Sequence, residues 1–197
     1  MLIDFDLLSY LIGLLILSGL IFLLKKKYKK SNMYILFYTI FFVYILNVIK
    51  YTIFPIEIGT LFVEELKEQL STFSRTNVIP FKFQNFEQTF LNILLTIPFG
   101  FGLPYLKKVN IKSALLLGIL FSFLIESTQF IISLVIGYPY RVTDINDILA
   151  NSIGVIVGYL LFKLFSKVAF FVLHNIKKAD NKLNPFLNYI YQIAKEN

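Results

Sequence analysis

Five apolar runs divide this chain: Leu7–Leu24, Met33–Phe54, Phe90–Leu106, Ile111–Ile136 and Ile148–Leu164. A helix needs about 20 apolar residues, with a range of roughly 17–25, to cross the hydrocarbon core of a bilayer, and each run fits that requirement. The first run has no charge. The second carries only Lys50 and the fifth only Lys163, both near an end where lysine can snorkel to the interface. The fourth holds Lys112 at its start and a single interior charge, Glu126. The third is short and contains Pro98 and Pro104. Hydrophobic residues make up 57% of the chain and charged residues 16%, against about 45–50% and 25% in soluble domains. That excess cannot be hidden in one water-soluble core. The predicted fold is therefore all-α, an integral membrane bundle of five transmembrane helices.

Basic residues set the orientation. With the N-terminus outside, fourteen of the 19 Lys and Arg fall on inner segments, in Lys25–Lys30, at Lys107, Lys108 and Lys112, and from Lys163 to Lys195. Only Lys50, Lys67, Arg75, Lys82 and Arg141 are left outside. N-out and C-in is the expected topology. The +7 net charge then reflects a positive inner face in contact with anionic lipid, not nucleic-acid binding. The first run does not read as a cleaved signal peptide, because Asp4 and Asp6 precede it and its basic cluster follows it. Three segments are expected. Residues 1–32 give an N-terminal transmembrane helix and a basic cytoplasmic loop. Residues 33–166 give a four-helix core with a long outer loop at 55–89. Residues 167–197 give an amphipathic cytoplasmic tail at the interface. Within the outer loop, Leu61, Phe62, Leu66, Leu70 and Phe73 alternate with charges, which predicts a short helix lying on the outer surface.

Polar groups inside the apolar runs carry the functional information. A charge near the bilayer centre costs roughly 2.5–3.5 kcal/mol and normally faces a partner or water. Ser122, Glu126, Gln129 and Ser133 share one face of the fourth helix. They form either a hydrogen-bonding staple between helices or a site. On the fifth helix Asp144, Asp147, Asn151, Gly154 and Gly158 also share a face. Gly154 and Gly158 read as a packing surface for another helix, and Asp144 suits an N-cap. Arg141, in the short loop between these helices, is expected to pair with Glu126, Asp144 or Asp147. Lys50 approaches from the second helix and Asn92 from the third, where Pro98 and Gly100 are expected to interrupt the helix and free carbonyls. These residues converge on one outer half of the bundle. With no Cys and only His174, thiolate and His-based metal sites are excluded, as is a cysteine nucleophile. Asp144, Asp147 and Glu126 would make an oxygen-ligand set of the Mg²⁺ or Ca²⁺ type, but no metal or cofactor is expected.

In order along the chain stand Lys50-Tyr-Thr-Ile-Phe-Pro55, Asn77-Val-Ile-Pro80-Phe81, Asn92-Ile-Leu-Leu-Thr-Ile-Pro98-Phe-Gly100, Glu126-Ser-Thr-Gln129 and Arg141-Val-Thr-Asp144-Ile-Asn-Asp147-Ile-Leu-Ala-Asn151. This ordered set resembles the VanZ-like membrane protein family over roughly Met33–Leu164. Asn146 is a departure, since the family often has Asp there. The resemblance implies a bacterial membrane protein whose named member lowers susceptibility to the glycopeptide teicoplanin. Related proteins are linked to lipoglycopeptides and other surface-acting antibiotics.

Two functions stay open at this stage. One is a non-enzymatic envelope protein whose outward polar pocket takes an amphiphile, such as a lipid-tailed antibiotic or a cell-wall precursor, beside its membrane-lipid partners. The other is an intramembrane enzyme using Glu126 or Asp147 as acid or base. A transporter fits less well, because five helices without a repeat do not make the usual inverted design. Reporter fusions at Lys27 and Lys108 should read cytoplasmic, and those at Lys67 and Pro139 outside. A cytoplasmic signal at Lys67 would overturn the orientation.

Overall fold

A computed structural model describes residues 1–59, 63–65, 67, 70–71, 73, 76–83, 85–180 and 182–196. Helices α1 (Leu7–Lys26), α2 (Asn32–Ile53), α3 (Phe86–Leu106), α4 (Ile111–Ile136) and α5 (Ile145–Asp180) are long and apolar enough to cross a membrane. A shorter helix, α6 (Pro185–Glu196), follows. Local chemistry sets their starts. The side chains of Asp6, Ser31, Asn85 and Asn110 each accept a backbone N–H from the residue three positions on, which satisfies a donor that no helical carbonyl can reach. At the end of α4, Gly137 takes φ 82°, the left-handed conformation that closes a helix at little cost only for glycine.

Four two-residue strands tie the connections at one end of the bundle. β1 (Leu2–Ile3) pairs antiparallel with β2 (Ile56–Glu57). β3 (Thr76–Asn77), in the long loop, pairs parallel with β4 (Thr143–Asp144) just before α5. Residues 63–65 and 67 of that loop are helical, while Leu61, Phe62 and Leu66 of the predicted surface helix lie outside the described residues.

The tightest helix pair is α3 on α5. A Cβ at Gly154 would overlap the Ile93 carbonyl oxygen and Thr96 Oγ1. One at Gly158 would overlap the Ile97 carbonyl, and one at Gly100 the Val155 carbonyl. The two backbones therefore touch directly, and the Thr96 hydroxyl adds a bond to the Asn151 carbonyl at 2.8 Å. Phe99, Leu103, Val155 and Tyr159 extend this contact into the main core, with Phe41 and Tyr44 of α2 against them. α1 packs through Gly13 onto Leu46 of α2 and leaves Leu7, Leu8, Leu11 and Leu15 exposed, as expected of a helix that faces lipid.

Two expectations are corrected. Helix three is not interrupted: α3 runs through Pro98 and Pro104, and the proline removes only the N–H that would have bonded the Leu94 carbonyl one turn back. The fifth helix does not stop near Leu164. It continues to Asp180, because residues 165–180 contain neither Gly nor Pro. Its 36 residues span about 54 Å at 1.5 Å per residue, well beyond the roughly 30 Å hydrocarbon core. After Asn184 the chain turns back as α6, which lays Tyr191 on Ala169 and Leu173 and stacks Phe186 and Tyr189 on Phe37.

Gly154→Leu should push apart two backbones that cannot yield, and cost at least the about 1–3 kcal/mol typical of overpacking. Gly19→Ala, which meets nothing within 4 Å, should instead gain up to about 1 kcal/mol of helix propensity. Thermal unfolding of each variant in detergent distinguishes them, and equal melting temperatures would refute the backbone contact.

Candidate functional site

Above the α3–α5 contact the helices diverge. The N-terminal half of α3, the C-terminal end of α2, the middle of α4 and the start of α5 surround a cleft of about 810 Å³. Seven of the eight residues predicted to form a polar network border it: Asn92, Glu126, Gln129, Arg141, Asp144, Asp147 and Asn151. Lys50 does not. Its ammonium lies over the Tyr10 and Tyr51 rings, 5.6 and 5.8 Å from their centres, so it serves the α1–α2 contact.

Steps of four, three and four turn Ser122, Glu126, Gln129 and Ser133 inward on α4, and all four are buried. Glu126 Oε2 accepts the backbone N–H of Asp144 at 3.2 Å. This bond couples the middle of α4 to the start of α5. Ser122 Oγ accepts the Asn151 side-chain amide at 2.7 Å. Gln129 Nε2 donates to the Thr52 carbonyl at 2.8 Å, tying α4 to α2. On α3, Asn92 accepts from Gln88 and lines the cleft with Asp147.

Asp144 is a structural node. Asn77 Nδ2 lies 3.0 Å from each of its carboxylate oxygens, and the backbone N–H and side-chain amide of Asn146 reach Oδ1 at 2.8 and 2.7 Å. The carboxylate thus caps α5 and clamps β3 to β4. Sequence reasoning named Asp144 but did not select Asn77 or Asn146. Their partners are 67 and 2 residues away, and no periodicity announces a contact between a long loop and a helix start.

Arg141 departs from its predicted role. Its Nη2 donates to the Phe54 carbonyl at 2.9 Å, and no ion pair joins it to a carboxylate among the described residues. Phe54 caps the C-terminal end of α2, where unsatisfied carbonyls and the negative end of the helix dipole attract a cation. Beside Arg141, the buried Tyr140 hydroxyl has no partner among the described residues. Burial pushes it up to about 12, so it remains protonated at neutral pH. Gly154, Gly158 and Gly100 line the helix contact below the cleft, not the cleft itself.

Residues 41–166 match the protein family described as VanZ/LLP1. The chain belongs to the VanZ/LLP1 family. No curated protein and no solved structure matches it. The VanZ/LLP1 match begins within α2 and ends within α5, so it takes in every residue around the cleft and leaves out α1 and α6. Together with the five apolar helices, it makes this a VanZ-like membrane protein.

Asn77→Ala removes the side chain that holds the buried Asp144 carboxylate. It should cost about 1.5–3 kcal/mol, the range for hydrogen bonds to charged groups. Arg141→Ala, which breaks one bond to a backbone carbonyl and unpairs no carboxylate, should lower the melting temperature less. The reverse order would show that Arg141, and not Asn77, neutralises the acidic cluster.

Proposed function

We propose that this protein is a multi-pass component of the bacterial cell membrane, N-terminus outside and C-terminus inside, and that its cleft holds the head of an amphiphile at the outer leaflet. Through that pocket it lowers susceptibility to glycopeptide or lipoglycopeptide antibiotics. The carrying observation is the form of the cleft. Its floor is polar and buried, with Glu126 at 6% exposure, Asn151 at 3% and Asn146 at 2%. Its lip is apolar and open, with Leu91 and Leu94 of α3 and Tyr51 of α2 each 45% exposed or more. Such a site takes a polar head while acyl chains lie along the lip. Its volume of about 810 Å³ falls within the roughly 300–1,000 Å³ of small-molecule sites. The family membership supports the antibiotic reading, since the named VanZ-like protein acts on teicoplanin susceptibility.

A second reading, an acid/base enzyme acting on a lipid or an undecaprenyl-linked precursor, draws on Glu126 and Asp147 both lining the cleft. It has no histidine there, because the one histidine, His174, stacks with Phe170 and Tyr191 towards the far end of α5.

Glu126→Gln tests the site directly. The amide keeps the shape and can still accept the Asp144 N–H through its oxygen, so membrane abundance should be normal. Protection, measured as the minimum inhibitory concentration of teicoplanin or a lipoglycopeptide in expressing cells, should be lost. Full protection at normal abundance would reduce Glu126 to a staple between helices. A changed lipid product in the wild-type membrane, absent with Glu126→Gln, would favour the enzyme.

A further inference from the structure

The walls of the cleft are unequally supplied with donors and acceptors. Two amide donors of residues that line the cleft are already engaged: Gln129 Nε2 by the Thr52 carbonyl, and Asn146 Nδ2 by the carbonyls of Ile79 and Lys82 at 3.0 and 3.2 Å. Backbone carbonyls only accept, so these bonds determine which end of each amide is nitrogen. Asn146 is 2% exposed, and among the described residues neither its Oδ1 nor that of Asn151 has a partner. Glu126 and Asp147 also line the cleft, with no cation in ion-pairing distance among the described residues. Together these groups offer acceptors and negative charge. The loop side offers donors: Arg141, with one of its five N–H groups on the Phe54 carbonyl, and the unpartnered hydroxyl of Tyr140.

We propose that the head held in this cleft is zwitterionic, an aminoalkyl phosphate whose primary ammonium donates to Glu126, Asp147 and Asn146 while its phosphate accepts from Arg141 and Tyr140. This rests on the reading of the cleft as an amphiphile site and names the chemistry of its ligand. A buried carboxylate, a half-buried one and an orphan amide oxygen are what three N–H donors on one positive charge satisfy. A hard divalent cation suits the site less. It takes six to eight oxygens, the third carboxylate, Asp144, is already bound by Asn77 and Asn146, and no cluster of three metal-ligating side chains occurs among the described residues.

The full chain, purified and delipidated in detergent, is titrated with phosphatidylethanolamine, phosphatidylcholine or phosphatidylglycerol and read by native mass spectrometry. Phosphatidylethanolamine should bind roughly tenfold tighter than the other two, the size of one charge-assisted hydrogen bond, because choline has no N–H and glycerol no charge. Glu126→Gln with Asp147→Asn should abolish that preference at an unchanged melting temperature. Tyr140→Phe, which removes only an unpartnered hydroxyl, should weaken phosphatidylethanolamine and phosphatidylglycerol severalfold alike. Should the double variant not fold, Tyr140→Phe and the lipid comparison still decide. Equal binding of the ethanolamine and choline lipids overturns the ammonium assignment, as does stabilisation of the wild type by calcium alone that Glu126→Gln abolishes. Preference for phosphatidylglycerol, lost on filling the lip with Leu91→Trp, overturns this inference but leaves the amphiphile site standing. Lipid binding indifferent to Leu91→Trp overturns both. Competition by free ethanolamine phosphate at equal affinity supports the head-group chemistry and assigns it to a soluble ligand; a far weaker effect assigns it to a lipid.

Discussion

Direct backbone contact between α3 and α5 is the constraint on which the rest of the bundle depends. In a membrane, burying apolar side chains gives no advantage over leaving them in lipid, so helices associate through close packing and hydrogen bonds. Gly154, Gly158 and Gly100 let carbonyls of one helix meet the Cα atoms of the other, and the Thr96 hydroxyl fastens the crossing at the Asn151 carbonyl. Residues just above that point on each helix, Asn92 on α3 and Asp147 and Asn151 on α5, are thereby brought to a common cleft. α4 then needs only its Ser122–Ser133 face to complete the wall. Larger residues at the three glycine positions would separate the helices and dissolve the site with the fold.

A second tie acts from outside the helices. The long loop between α2 and α3 is anchored at β3, and Asn77 joins Asp144 at the start of α5. The same aspartate caps α5 and gives its backbone N–H to Glu126. Loop, helix start and mid-helix carboxylate are thus one hydrogen-bonded unit. This explains why a polar residue 67 positions away in the chain belongs structurally to the acidic wall.

Much of this was legible in the sequence, and the reasons divide cleanly. The five helices follow from run length and charge spacing, which are local properties. The α4 face and the α5 face follow from helical periodicity, and the packing role of Gly154 and Gly158 follows from their spacing of four. What periodicity cannot carry is the partner of a long flexible side chain. From its place in the loop before α5, either a carboxylate or the carbonyls that end α2 would suit Arg141, and sequence gives no measure of which lies nearer. Lys50 shares a helix face with residues near the cleft, yet Tyr10 and Tyr51 offer it aromatic surfaces. Helix continuity was also hidden. Pro98 looks like a break by propensity, but inside a bundle one lost hydrogen bond does not outweigh the packing on both sides. The extension of α5 could have been found, since its sequence holds no helix breaker until Pro185.

The position of Arg141 bears on why an acidic wall survives at all. Two carboxylates without a cation, Glu126 buried and Asp147 half-buried, would be expensive if sealed among apolar side chains. Here they border an open cleft of about 810 Å³, and water or a polar head group can solvate them. Had Arg141 paired with Glu126 or Asp147, the wall would be neutral and its bonds already satisfied. Held instead by the Phe54 carbonyl, the guanidinium leaves the carboxylates to the cleft that it also lines. The short Gly137–Thr143 connection restricts how far it can move, and the Tyr138 hydroxyl pins that connection to the Glu57 carbonyl at 2.9 Å. Both signs of charge thus line one cleft, and no ion pair among the described residues spends one on the other.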